Sequence, residues 1–399
     1  MRFLRYLLAL SFALLFSFLC IPTASLASEE EIVVPEISTK NFEIPESEAM
    51  SFVRALGAGW NLGNTMDAID GAGHKGGTSL ETYWCRAKTT REMIHEIAEA
   101  GFQTIRIPVS WHNHVTGDDD TIDPEWLSRV REIADWALEE GMYVIVNVHH
   151  DNHLTYGYYP DSEHLEQSRK YLGSIWRQMA ECFQDADEHL ILESLNEPRL
   201  VDTANEWWFD RNSAVCQDAA ACINELNQLF VDTVRLSGGY NATRYLMVTP
   251  YAANCESANP DWFVLPTDTI ADHLIVSYHA YSPYSFALDL KGTKEFSLTN
   301  YQQTAEVVSS LNAMYNWYVT RGIPVVLGEY GALHKDNLQA RVDLTAFYVA
   351  QAASRGIPCL WWDNNAFQGS GEKFGLFLRQ DLTWPFPEIV EAIMKYKLK

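Results

Sequence analysis

No CxxC pair occurs in this sequence, and its seven cysteines in 399 residues are too sparse for a disulfide scaffold. A zinc site is therefore not expected. Basic residues are scarce: 29 Lys and Arg stand against 53 Asp and Glu, a formal net charge of −24. Such a chain repels nucleic acid and anionic lipid, so a neutral or cationic partner is expected. From about residue 51 onward there is no repeat, linker or low-complexity run, which argues against a separate binding module.

A long apolar run stands at the N-terminus. MRFLR supplies two arginines, Tyr6 to Ile21 is almost wholly apolar, and Ser25-Leu26-Ala27 offers small residues at a cleavage-like position. Residues 1–27 are expected to be a secretory signal peptide, with an uncleaved anchor as the alternative. They contain basic but no acidic residues, so the chain left behind is more acidic still. A secreted, extracellular protein is expected, with no membrane contact after cleavage. Residues 28–48, SEEEIVVPEISTKNFEIPESE, carry two prolines and no helical period, and are expected to be an acidic tether. Residues 49–399 form the expected catalytic domain, as a monomer. Export permits disulfides. Cys216 and Cys222 can pair if CQDAAAC is a loop, but not if it is helix.

What is abundant is apolar and aromatic: 47% hydrophobic residues and 13 tryptophans. That suits a large core, and it suits a sugar-binding cleft, because apolar sugar faces stack on indoles. Short apolar runs recur at 57–63, 102–108, 142–148, 190–195, 244–250, 273–278, 324–329 and 359–362. Between them lie amphipathic stretches at 89–100, 123–140, 164–184, 217–236, 301–320, 337–355 and 385–397. After the fifth run, ANPDWF alone hints at a short helix. Eight strands alternating with helices imply a parallel α/β fold. A doubly wound sheet is possible, but a closed (β/α)8 TIM barrel fits the count better.

Polar residues cluster where the apolar runs end: Asn61 and Asn64, Arg106, His149 and His150, Asn196 and Glu197, His279 and Tyr281, Glu329, Trp362. In a parallel barrel these ends meet at one face. A lone carboxylate there is usually an ion-pair member. Two facing each other, Glu197 and Glu329, are what glycoside hydrolysis requires, one protonated and one ionised. Adjacent strand residues point to opposite sides, so His149 and His150 are not expected to share a metal ion. Asn61, Asn64, Asp67 and His150 either line distal sugar sites or shape a loop. Trp207-Trp208 either builds the leaving-group side or packs a loop. Asn241-Ala242-Thr243 fits an N-glycosylation sequon.

GWNLGNTMDA (59–68), TIRIPVSW (104–111), YVIVNVHHD (143–151), LNEP (195–198), YHAYSPYSFAL (278–288), LGEYGA (327–332) and WWDN (361–364) together resemble glycoside hydrolase family 5, most closely its subfamily 4 endoglucanases and xyloglucanases. The resemblance spans about 51 to 395. It implies a (β/α)8 barrel, retaining endo-acting chemistry and no metal or other cofactor. By resemblance Glu197 is the acid/base and Glu329 the nucleophile. Asn196 then bonds the sugar 2-hydroxyl, Arg106 and Tyr281 support Glu329, His279 reaches the acid/base, His149 bonds a sugar hydroxyl and Trp362 floors the sugar. Glu329 should raise the pKa of Glu197, leaving it protonated. The implied substrate is a plant β-1,4-glucan, with xyloglucan or mixed-linkage glucan next and mannan or xylan after those. The competing class is a glycan-binding barrel without turnover; such a protein should have lost a carboxylate or its support, and here both carboxylates, the Arg and the Tyr are all present. The long loop DAIDGAGHKGGTSLETYW (67–84) leaves substrate choice open.

Overall fold

The computed structural model describes residues 31–71 and 76–399. The signal segment and Cys20 lie outside the described residues. Val33 to Lys399 form one compact unit.

Eight parallel strands close into a barrel. They are β1 (Ala58–Leu62), β2 (Thr104–Ile107), β3 (Tyr143–Val146), β4 (Leu190–Glu193), β5 (Leu246–Val248), β6 (Leu274–His279), β7 (Val325–Tyr330) and β8 (Cys359–Asp363). Each pairs with its sequence neighbour and β8 pairs with β1, so every apolar run forms its expected strand. The outer helices are α2 (Arg91–Glu99), α3 (Pro124–Glu139), α4 (Leu165–Phe183), α5 (Ala214–Leu236), α6 (Tyr301–Trp317), α7 (Leu338–Ala353) and α8 (Pro387–Tyr396). Asp123 caps α3 by accepting from Glu125 N, with Pro124 in the first turn, where a missing N–H costs nothing.

Between β5 and β6 no α-helix stands among the described residues. The ANPDWF segment expected as a short helix is a turn, in which Asn259 Oδ1 accepts from Asp261 N. An Asx side chain offers the backbone an alternative to helical bonding, and here it prevails. A helix missed in the sequence, α1 (Glu48–Ala55), is capped by Ser47, whose side chain accepts from Met50 N. Its Ala49 and Val53, with Leu56 just beyond, pack on Ile145, Ile191, Met247, Ile275, Val326 and Leu360. Six strands thus contribute one apolar layer, and α1 plugs that end of the barrel. Gly59 lies level with Leu360; a Cβ there would come 2.3 Å from Leu360 Cγ, so only glycine lets β1 and β8 share this layer. Leu56→Ala is expected to lower stability by about 2–4 kcal/mol, read as a shift in denaturation midpoint, without changing kcat at room temperature.

Other expectations change. Residues 33–47 lack helix and strand, but this stretch of the expected tether is fastened to the barrel. Tyr396 donates to Pro35 O at 2.7 Å, Tyr315 donates to Glu43 O at 2.7 Å, and Phe42 lies under the Arg355 guanidinium at 4.0 Å. Its alternating apolar residues give it something to bury despite its charge. Cys216 and Cys222 both lie on α5 and are free; six residues of helix hold them about 9 Å apart along the axis. Asn241 is fully buried and donates to Ala180 O at 2.7 Å, so the sequon is closed to a glycan in the folded protein. No helix among the described residues is long and apolar enough to cross a membrane.

Candidate active site

Strand alternation places the next inward residues above the apolar layer. Two residues beyond Gly59, Ile145, Ile191, Ile275 and Leu360 stand Asn61, Asn147, Glu193, Ser277 and Trp362. Arg106 pairs in register with Asn61. The layer facing the mouth is therefore polar, and Arg106 is its hub. Its Nε donates to Glu193 Oε2 at 2.6 Å, Nη1 to Asn61 Oδ1 at 3.0 Å and to Glu329 Oε1 at 2.8 Å, and Nη2 to Asn196 Oδ1 at 2.7 Å. Burial alone would lower the pKa of Arg106, but the charges of Glu193 and Glu329 outweigh it and push it up.

Glu193 was missed in the sequence, because LILESL reads as an apolar strand. It is fully buried and accepts from Ser277 Oγ at 2.7 Å and Asn147 Nδ2 at 3.0 Å. The available signal was its phase: Glu193 shares the inward face of Ile191, and a buried charge demands a partner, which TIRIP supplies. Asn61 is the converse case. It is fully buried and donates to Gly328 O at 2.9 Å, so it braces Arg106 from behind and cannot line a sugar site. Asn64 turns the first loop at a φ of 60°, and its N–H bonds Asp67 Oδ2 at 3.0 Å; it shapes the loop.

A bulge aims Glu329. Ser277 pairs with Val326 and Tyr278 with Leu327, but His279 pairs with Glu329, leaving Gly328 as the extra residue. Val326 faces the core, so without the bulge Glu329 would face outward; a one-residue shift reverses every side chain beyond it. Gly328 leaves room at the bulge: a Cβ there would lie 3.0 Å from both His279 Nε2 and Ser277 Oγ and press on both. Glu329 then takes Arg106 on Oε1 and accepts from Tyr281 on Oε2 at 2.8 Å. Burial first, then the Glu329 charge, push the Tyr281 pKa well up, so it remains a hydrogen-bond donor.

Glu197 stands beyond the end of β4, with its side chain 16% exposed. Its Oε1 bonds His279 Nδ1 at 2.9 Å, and that nitrogen lies 3.7 Å from Glu329 Oε2. Ligand-type atoms of Glu197, His279 and Glu329 lie within 4.8 Å of one another. The expected raised pKa of Glu197 is not found. Burial raises it, but the hydrogen bond and charge of His279 outweigh burial, helped by Arg199 and His150, and the net direction is down. A histidine partner that the sequence could not rank against Glu329 decides the sign.

His149 and His150 both face the pocket, with ring centroids 4.4 Å apart and edge-on. The expectation that they diverge assumed strand alternation, but β3 ends at Val146 and alternation ends with it. With Asp67 they form a second group whose ligand-type atoms lie within 4.8 Å. Burial keeps both histidines neutral: the His149 pKa is well below its usual value, and that of His150 is about 4. Asp67 is pushed up by burial to about 6. The tautomer of His149 follows from its neighbours. Asn147 Oδ1 accepts from Val109 N at 3.1 Å, and Asn147 Nδ2 donates to Glu193, so the amide is fixed. The same Nδ2 lies 3.2 Å from His149 Nδ1, which must accept. His149 Nε2 therefore carries the hydrogen and is a donor for a hydroxyl rather than a lone pair for an ion.

Trp362 is parallel to His149 within 2°, centroids 5.8 Å apart, and rests on Leu333 and Phe374. Trp84 from the long first loop approaches His150 at 5.7 Å; residues 72–75 of that loop lie outside the described residues. The pocket is thus floored by indole, edged by donors, and centred on two carboxylates. A family model described as Cellulase (glycosyl hydrolase family 5) matches residues 68–368.

The chain belongs to glycosyl hydrolase family 5.

Endoglucanase B of Ruminococcus albus is 41% identical over 372 residues, covering 93% of this chain and 86% of that protein. Among solved structures, a mutant of the family 5 lichenase from Caldicellulosiruptor sp. F32, in complex with cellotetraose, is 47% identical with a TM-score of 0.88, covering 92% of this chain and all of that one. A subfamily 4 broad-specificity endoglucanase from Ruminococcus champanellensis, with bound cellotriose, is 42% identical with a TM-score of 0.82 over 88% of this chain and all of that one. This family 5 protein is a glycoside hydrolase of the endoglucanase kind. The expected family and the (β/α)8 fold both hold.

Proposed function

We propose that this enzyme cleaves internal β-1,4 bonds of plant glucans with retention of configuration, Glu329 attacking and Glu197 serving first as acid and then as base. The observation that carries the reading is the carboxylate pair itself. Oxygens of the two groups lie within 4.8 Å, near the ~5–5.5 Å of direct attack and short of the ~6.5–9.5 Å that accommodates an intervening water. Arg106 and Tyr281 aim Glu329 through one hydrogen bond to each of its oxygens. Asn196 gives its oxygen to Arg106, which leaves its amide nitrogen to donate to the sugar 2-hydroxyl, a contact that strengthens at the transition state. His149 Nε2–H binds a hydroxyl of the same sugar, and Trp362 supports its apolar face.

The low pKa of Glu197 gives substrate a further task. A sugar chain covering the remaining exposed edge of Glu197 strengthens the burial effect, which favours the protonated acid. After glycosylation Glu329 is uncharged, the Glu197 pKa falls again, and it acts as base on water. Because His279 lowers the pKa of free-enzyme Glu197, His279→Asn should let the carboxyl hold its proton to higher pH. The alkaline limb of kcat/KM should move up, and a limb that stays put or moves down would oppose this reading.

A panel of carboxymethylcellulose, barley β-glucan, xyloglucan, glucomannan and xylan, scored by reducing-sugar release, tests substrate class; the expected order begins with β-1,4-glucan and mixed-linkage glucan. The relatives solved with cellotetraose and cellotriose support a cello-oligosaccharide backbone in the cleft. Proton NMR of the first product should show the β-anomer. Chelators should leave activity unchanged, since carboxylates perform both roles. Export by the N-terminal segment belongs to the same proposal, and N-terminal sequencing of the secreted protein checks it.

A further inference from the structure

Arg199 lies two residues beyond Glu197, and the chemistry above does not use it directly. Its Nη1 donates to the Glu197 carbonyl oxygen at 2.9 Å and stands 3.9 Å from the Glu197 carboxylate. Its Nε donates to Glu206 Oε1 at 3.3 Å, and its backbone N–H is fixed on Asn152 Oδ1 at 2.7 Å. The flat of the guanidinium is covered by the Trp207 ring, 3.8 Å from Cζ to centroid. Trp207 is nevertheless 57% exposed, and Trp208 beside it is 67% exposed. Two adjacent indoles left in water make an apolar patch fitted to a flat partner with polar edges. The patch is tied to Glu197 and not to the Trp362–His149 floor, so it lies beyond the glycosidic oxygen that Glu197 protonates.

We propose that Arg199 is a positioning residue: once Glu329 carries the sugar, it couples occupancy of the Trp207 platform by an acceptor sugar to the placement and ionisation of the Glu197 carboxyl. The proposal rests on Glu197 being the acid/base. A sugar seated on Trp207 excludes water from the guanidinium beneath, and the Arg199–Glu197 attraction strengthens as the local dielectric falls. That favours the carboxylate, the form needed to deprotonate an incoming hydroxyl. The groups facing Glu197 are His279 from β6, Glu329 from β7, His150 after β3, Tyr281 after β6, Glu372 after β8, and Tyr158. Of these, His279 hydrogen-bonds the Glu197 carboxylate; Arg199, which bonds the Glu197 carbonyl oxygen, is the one that also touches the exposed indole.

The test uses dinitrophenyl β-cellobioside as donor and cellobiose as acceptor. In transfer, the acceptor oxygen bonds the anomeric carbon, the Glu329–carbon bond breaks, and the hydroxyl proton passes to Glu197; water in the same place gives hydrolysis. Trp207→Ala and Arg199→Met should each lower the transfer-to-hydrolysis ratio roughly tenfold, while Trp207→Phe keeps it. Arg199→Met should also move the alkaline limb of kcat/KM upward, whereas Trp207→Ala, which leaves the free-enzyme charges alone, should not. An Arg199→Met enzyme with the parent ratio and the parent limb would overturn the coupling. If that variant fails to fold, exposed Trp207 still decides: an unchanged ratio in Trp207→Ala sinks the proposal. A parent enzyme that forms no transfer product with cellobiose would overturn the coupling, whereas an α-anomeric hydrolysis product would sink the double-displacement reading itself.

Discussion

Glu329→Ala is expected to lose glucan hydrolysis by at least about four orders of magnitude while still binding cello-oligosaccharides. The sugar keeps its indole floor and the donors of His149 and Asn196, but nothing remains to form the glycosyl-enzyme. Arg106 stays charged beside Glu193 at 2.6 Å, so the emptied position is a small anion-accepting space. Azide should occupy it, restore turnover, and give a glycosyl azide of inverted configuration. Calorimetry with cellotetraose, together with NMR of the azide product, checks both halves. A retained-configuration product would move the nucleophile elsewhere. Arg106→Lys should be nearly as damaging, because an ammonium cannot hold Glu193, Asn61, Glu329 and Asn196 at once as a guanidinium does.

Glu197→Gln should split by leaving group. On a polysaccharide, whose departing oxygen needs a proton, activity should fall by roughly 10²–10⁴-fold. On dinitrophenyl β-cellobioside the phenolate leaves unaided, so its pre-steady-state burst should be nearly intact, followed by slow deglycosylation for want of a base. Glu329→Gln should be equally inactive on both. The reverse pattern would exchange the two roles, and no effect from either substitution would place the chemistry outside this pocket. The low pKa of free Glu197 does not weaken the prediction, since covering by substrate acts in the opposite direction to His279.

Much of the fold was legible because barrel strands are buried on both faces and read as apolar runs, and because amphipathic helices keep their 3.6-residue period between them. α1 escaped notice: a short helix that plugs a barrel looks like a polar terminus until the hole it fills is seen. Glu193 escaped because one acid within an apolar run is invisible without its partner, and that partner lies 87 residues away on β2. Asn61 fitted either a sugar contact or a loop by sequence; its buried side chain belongs instead to the support of Arg106, a role set by strands β2, β7 and β8.

By itself, the sequence determined the eight-fold alternation and the family, and it singled out Glu197, Glu329 and Trp362 at strand ends, since each rests on local period or on motifs that survive as strings. The tertiary structure decided which way those residues point and what charge they carry. The Gly328 bulge turns Glu329 inward, the end of β3 lets His149 and His150 face one pocket, and Asn147 fixes the tautomer of His149. His279 sets the sign of the Glu197 shift. The physical reason is common to all four: direction and ionisation depend on through-space partners a few ångströms away, and in a closed barrel those partners come from strands far apart in the chain.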